Sequence, residues 1–103
     1  MDAVRDLPIA WPEEAVAEFC RRNHIRKLSL FGSVLRDDFT PESDIDVLVE
    51  FEEGYRAGLA FFGMGAELQE ILGREVDLGT PAMLHPGWAR EVLDEARVVY
   101  VAA

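Results

Sequence analysis

Residues 44–51, DIDVLVEF, set carboxylates into an otherwise apolar strand pattern, and no other segment of the chain restricts the fold as strongly. Alternate residues put four apolar side chains on one face of a predicted strand: Ile45, Val47, Val49 and Phe51. The opposite face begins with Asp44 and Asp46. Aspartate is a poor strand former, and a buried carboxylate without a partner is costly. Asp46 therefore needs a compensating group.

Two further observations indicate that this group is a cation. Residues i and i+2 of a strand project to the same side, roughly 7 Å apart, so the charges of Asp44 and Asp46 repel. A divalent ion that prefers oxygen ligands, such as Mg²⁺, relieves that repulsion. Asp77 interrupts a second short apolar segment and completes a triad if the two strands are neighbours. Three carboxylates suit two metal ions about 3.5–4 Å apart, so we predict that these three residues are catalytic metal ligands.

A Gly-Ser pair follows a predicted strand upstream of the aspartates. Gly32 lets the backbone turn sharply and approach a ligand closely. The hydroxyl of Ser33 and the amides of a helix start can hold phosphate oxygens, and Arg36 can add positive charge there. We therefore predict nucleotide binding by Gly32, Ser33 and Arg36.

Periodicity predicts seven elements in the order α-β-β-α-β-α-β. They are a helix over 12–23, strands over 27–31 and 44–51, a helix over 55–73, a strand over 75–78, a helix over 87–96 and a strand over 97–101. A chain of 103 residues suits one domain, here residues 1–103. The expected fold is α/β (α+β), a small mixed sheet flanked by helices.

Charge and cysteine content exclude several classes of protein. The formal net charge is −10, from 20 acidic and 10 basic residues, which argues against direct binding to the phosphates of nucleic acids. Cys20 is the only cysteine, so no intrachain disulfide is possible and a reducing compartment is expected. The chain shows neither a secretory signal nor an apolar run near the ~20 residues that cross a bilayer. We expect a cytoplasmic protein without a membrane partner.

Other conspicuous residues have simpler structural interpretations. His24 and His85 flank predicted helices, and neither is expected to take part in chemistry. Cys20, Trp88 and Tyr100 are expected to pack in the core. A second group on the long helix fits either the core or a partner-binding patch, with the core favoured: Phe61, Phe62 and Met64.

The spacing of the site residues resembles a known signature. Gly32-Ser33, ten intervening residues, Asp44-x-Asp46 and a downstream Asp77 look like the motif of the DNA polymerase beta-like nucleotidyltransferase superfamily. The segments FGSVLRDD, SDIDVLVEF, VDLGTPAMLHP and VVY resemble its minimal branch, the MNT or MntA-like antitoxins, from residue 12 onward. Many relatives read G-S-x-A-R-G, whereas this chain has Leu35 before its arginine and Asp37 after it.

The resemblance implies a fold and an activity. Superfamily members transfer a nucleoside monophosphate from a triphosphate to a hydroxyl and release pyrophosphate. The MNT branch is typically encoded beside a HEPN-domain ribonuclease toxin, which it neutralises by binding and by attaching AMP to a tyrosine. Gly32 and Ser33 would then bind the triphosphate of ATP, and Asp44 and Asp46 would ligate two Mg²⁺ ions. Asp77 would ligate the catalytic metal and help deprotonate the acceptor.

Two other hypotheses remain open at this stage. The chain could neutralise its partner by binding alone, with catalysis incidental. It could also be a nucleotidyltransferase that modifies a hydroxyl of a small molecule. The short chain counts against the second of these, because such enzymes usually carry an extra domain that holds the acceptor.

Overall fold

One mixed sheet organises the computed structural model, which describes residues 7–36 and 39–102. Its strands are β1 (Ile25–Phe31), β2 (Ile45–Phe51), β3 (Val76–Gly79) and β4 (Arg97–Val101). They lie in the order β3-β2-β1-β4. β2 and β3 are parallel, whereas β1 is antiparallel to both β2 and β4. The expected α/β class with a mixed sheet is confirmed.

Three helices accompany the sheet: α1 (Glu13–Arg22), α2 (Ala60–Leu72) and α3 (Pro86–Glu95). Short 3-10 turns follow β1 and β3, at Gly32–Leu35 and Pro81–Met83. Two glutamates open α1 and two arginines close it, an order that suits the helix dipole. Within the described ranges, no helix is long and apolar enough to span a bilayer.

The core lies between α1, α2 and one face of the sheet. Ile45, Val47 and Val49 are fully buried, as the predicted core face of β2 requires, and Leu48 on the opposite face is buried as well. From the helices come five further buried side chains: Val16, Phe19, Cys20, Met64 and Leu68. The opposite face of the sheet carries Asp46 and leaves room for a cavity beside α3. One face of β2 therefore packs in the core, and the other carries Asp46 at a polar site next to the buried Leu48.

Two predicted boundaries were wrong by more than one residue. β1 begins at Ile25 rather than at residue 27. α2 begins at Ala60 rather than at residue 55, because Gly58 has φ +56°, which does not occur within an α-helix. Upstream of it, Tyr55 stacks on His24 with ring centroids 4.4 Å apart. This contact packs the irregular segment before α2 against the residue that precedes β1. Asp37 lies outside the described residues.

Candidate functional site

Two carboxylates lie side by side on the parallel pair of strands. Asp46 of β2 and Asp77 of β3 are register partners, so both side chains project from the same face of the sheet. Asp44 immediately precedes β2 and is exposed. Asp46 is only partly buried, and Asp77 is exposed. The pairing of β2 with β3 therefore places Asp46 beside Asp77, whereas the predicted triad with Asp44 stays a prediction.

The turn after β1 approaches Asp46 closely. Phe31 is the register partner of Asp46, and the chain turns at Gly32 with φ +77°. A β-carbon at Gly32 would overlap Oδ2 of Asp46 and would lie 3.1 Å from its Cγ. Glycine is therefore required here both by the left-handed backbone and by the lack of space. The Gly-Ser pair is thus brought against the central carboxylate of the site.

The electrostatic environment of Asp46 is unfavourable to its charge. Burial raises the pKa of the Asp46 carboxyl, and the neighbouring charges of Asp77 and then Asp44 raise it further. Arg36 acts in the opposite direction and lowers this pKa. The guanidinium of Arg36 also donates a hydrogen bond of 3.1 Å to Oε1 of Glu95, in the last turn of α3. The site therefore carries an excess of negative charge, and one arginine lies nearby.

The chemistry of this donor set fits a hard divalent cation. Three carboxylates supply the oxygen ligands that Mg²⁺ prefers, and a cation among them would relieve the repulsion that adds to the effect of burial on the pKa of Asp46. In residues 7–36 and 39–102, however, no three His, Cys, Asp or Glu side chains are close enough together to form a metal site. Asp44 and Asp77 are exposed, so rotation of their side chains towards Asp46 meets little packing. Their role as ligands stays a prediction.

A cavity of about 650 Å³ extends from the Gly-Ser turn to α3. This volume lies within the usual range for small-molecule sites. The sheet side and the turn contribute Phe31, Gly32, Ser33, Arg36 and Asp46. The helix side contributes Gly87, Trp88, Glu91, Val92 and Glu95. The predicted nucleotide-binding residues therefore share one cavity with the central aspartate.

The helix side of this cavity was missed from the sequence. Trp88 was expected in the core, which is wrong, because 60% of its surface is exposed. The signal was present: residues 88, 91, 92 and 95 follow the i, i+3, i+4, i+7 spacing of one helical face. That spacing shows which residues share a face, but it does not tell whether the face meets the core or a cavity.

Other candidate residues lie outside the cavity or have structural roles. Nδ1 of His85 accepts a hydrogen bond from the amide of Gly87 and so caps α3. Burial raises the pKa of the Cys20 thiol to about 12, although the charge of Arg21 lowers it, which makes Cys20 a core residue rather than a nucleophile.

The aromatic residues of the long helix and of the last strand have mixed outcomes. Met64 is buried in the core, and Phe61 and Tyr100 pack partly against it. Phe62 is 76% exposed, so its expected core position was wrong. The partner-patch interpretation for Phe62 stays a prediction.

Comparison with known families gives a direct match. A family model described as nucleotidyltransferase domain matches residues 13–99. A relative in Thermococcus cleftensis, named protein adenylyltransferase MntA, is 39% identical over 84 residues, which cover 82% of each chain. A solved structure, described as a candidate minimal nucleotidyltransferase, is 35% identical with a TM-score of 0.68 and covers 93% of this chain and 94% of its own.

Two toxin–antitoxin structures share the fold at 20% identity. One contains AMP-PNP and has a TM-score of 0.70, with 89% of this chain and 75% of that chain covered. The other is a tri-AMPylated Shewanella oneidensis HEPN toxin in complex with MNT antitoxin. Its TM-score is 0.62, with 87% of this chain and 70% of that chain covered. At this identity the two structures support the fold alone.

Proposed function

The chain belongs to the nucleotidyltransferase domain family, and on that premise we propose that it transfers AMP from ATP to a tyrosine hydroxyl of a HEPN-domain toxin and thereby neutralises the toxin. It is an enzyme of the nucleotidyltransferase class. The observation that carries the proposal is the position of Asp46. Its register partner on β3 is a second carboxylate, Asp77, and the turn at Gly32 packs against its side chain.

The comparisons support the choice of donor and partner. The Thermococcus cleftensis relative is named a protein adenylyltransferase, and 82% of each chain is covered by the match. The same fold occurs in a complex with AMP-PNP and in a complex whose HEPN toxin carries AMP groups. We extend that donor and that partner class to this chain.

In the proposed reaction, the oxygen of the acceptor hydroxyl forms a bond to the α-phosphorus of ATP, and pyrophosphate leaves. Asp44, Asp46 and Asp77 would hold Mg²⁺, and Asp77 would also help to take the proton of the acceptor. Bound Mg²⁺ would lower the pKa of the acceptor hydroxyl and neutralise charge on the leaving pyrophosphate.

The phosphate groups have a separate set of proposed contacts. Ser33 and the backbone amides of the turn at Gly32–Leu35 would bind phosphate oxygens, and Arg36 would add a charged contact. We further propose that residues 1–103 act as one domain in the cytoplasm, where ATP is available. The buried, unpaired thiol of Cys20 suits such a reducing compartment.

The test is intact mass spectrometry of a candidate HEPN-domain partner protein, after incubation with this protein, ATP and Mg²⁺. We expect a mass gain of one or more AMP units, which a tyrosine-to-phenylalanine variant of the acceptor abolishes. Asp46→Asn should remove the gain. Glu53→Gln, which deletes one exposed negative charge from the turn after β2, should leave it unchanged.

Two results would contradict the proposal. If Asp46→Asn protects cells from the toxin as well as the wild type, neutralisation proceeds by binding alone. If no partner protein gains mass but a small hydroxylated compound does, the acceptor class is wrong.

A further inference from the structure

We propose that Trp88 is the stacking platform for the base of the donor nucleotide, with His85 as the residue that positions it. This inference rests on the proposed function, because it places the base of ATP at the end of the cavity that the proposed phosphate contacts do not occupy. Trp88 lines the same cavity as Gly32, Ser33 and Asp46, and 60% of its total surface is exposed.

The indole is supported from one side. Its ring and that of His85 are stacked, with centroids 5.4 Å apart and planes 25° from parallel. The imidazole is itself held, because its Nδ1 accepts a hydrogen bond of 3.0 Å from the amide of Gly87. A β-carbon at Gly87 would lie 3.1 Å from that nitrogen, so glycine permits the close packing. Trp88 is therefore pre-oriented before any ligand arrives.

The length of α3 matches a ligand that has an aromatic end and a charged end. Glu95 contacts Arg36, so the last turn of α3 lies beside the proposed phosphate contacts. Trp88 lies seven residues earlier on the same helical face, which corresponds to about 10 Å along the helix axis. A nucleotide that places its phosphates at the Gly-Ser turn can extend its base along this wall towards Trp88.

A role in stacking also explains why Trp88 is exposed. A large aromatic residue left open on a cavity wall loses the benefit of burial until an apolar ligand surface covers it. Every base has a π-face, so stacking contributes affinity with little selectivity among bases. We therefore expect Trp88 to strengthen the binding of ATP and of GTP to similar extents.

The test compares ATP with inorganic tripolyphosphate, which has the phosphates but no base. We expect Trp88→Ala to weaken ATP binding roughly 5- to 150-fold in calorimetric titrations with Mg²⁺. Tripolyphosphate binding should change less than about twofold, since phosphate contacts are untouched. Trp88→Phe should retain most of the ATP affinity. The matched control is Leu93→Ala, which truncates an exposed apolar residue of α3 outside the cavity and should change neither affinity.

Fluorescence gives a second measurement that does not depend on the alanine variant folding. The chain has two tryptophans, so Trp11→Phe leaves Trp88 as the only indole. ATP should quench its emission, and tripolyphosphate should not. His85→Ala should weaken ATP binding less than Trp88→Ala does, because it removes only the support.

The outcomes separate this inference from the proposed function. If the wild type binds ATP and Trp88→Ala binds it equally tightly, the stacking role is wrong and the nucleotidyltransferase proposal stands. If Trp88→Ala keeps its ATP affinity but loses affinity for the HEPN-domain partner, Trp88 contacts the acceptor protein instead. If the wild type binds neither ATP nor tripolyphosphate, both proposals fail.

Discussion

Replacing Gly32 with alanine tests whether close approach to Asp46 shapes the turn after β1. Gly32 has φ +77°, and a residue with a β-carbon in this left-handed region costs about 1–2 kcal/mol. The new β-carbon would also overlap Oδ2 of Asp46. The carboxylate must then rotate away from its rotamer, which costs about 0.5–1.5 kcal/mol. Gly32→Ala should therefore lower the free energy of unfolding by about 1.5–3.5 kcal/mol and the Tm by roughly 6–28 °C.

Gly73 provides the matched control. It ends α2 with φ +72°, and nothing lies within 4 Å of a β-carbon built there. Gly73→Ala should thus cost only the backbone strain, about 1–2 kcal/mol, and should leave AMP transfer unchanged. In urea unfolding at fixed pH, the excess cost of Gly32→Ala over Gly73→Ala measures the contact with Asp46.

A double-mutant cycle completes the assay. In an Asp46→Ala background the clashing carboxylate is absent, so the excess cost of Gly32→Ala should disappear. Activity supplies an independent measurement, because Gly32→Ala displaces the central carboxylate and should lose AMP transfer. Equal destabilisation by Gly32→Ala and Gly73→Ala, with transfer retained in both, would refute the reasoning.

Three other predictions follow from the charges of the site. Burial and then the charge of Asp77 raise the pKa of Asp46, so the ionised carboxylate destabilises the folded state. This loss of stability develops as the pH rises from the ordinary aspartate pKa of about 3.9 through the raised pKa. Asp46→Asn should therefore raise the metal-free Tm at neutral pH but not near pH 3, and an equal effect at both would contradict this assignment. The ion pair of Arg36 with Glu95 is half-exposed and contributes at most ~1 kcal/mol to stability. Glu95→Gln should release Arg36 and tighten ATP binding by up to about fivefold in calorimetry. The control Asp94→Asn should leave ATP affinity unchanged. A loss of ATP affinity in Glu95→Gln would show instead that the ion pair supports the site. Finally, ATP with Mg²⁺ at about 100 times its Kd should stabilise the protein by ~2.7 kcal/mol in thermal melts, and an unchanged Tm would argue against an assembled site.

Sequence patterns predicted the strands and the face on which Asp46 lies because both depend on local alternation. The pairing of Asp46 with Asp77 followed only on the condition that β2 and β3 are neighbours, which the structure bears out. The period of two in β2 fixes which residues face the core, and a glycine after β1 marks the turn. The late start of α2 was missed because helical periodicity does not show that the backbone at Gly58 adopts φ +56°. The exposure of Trp88 was missed for a similar reason. A helical periodicity identifies a face, but only the packed structure shows what that face meets.

The position of the carboxylates is set by the core rather than by any attraction among them. Burial raises the pKa of Asp46, and repulsion from Asp77 and Asp44 raises it further, so these side chains would separate if the backbone allowed it. A slip of β2 by one residue would exchange its two faces, exposing Ile45 and Val47 and burying Asp44 and Asp46. The cost of exposing two fully buried branched side chains, about 1.5–3 kcal/mol each, holds the register against that repulsion. Truncating Val47 to alanine should therefore weaken both folding and the alignment of Asp46 with Asp77, although Val47 projects away from the site.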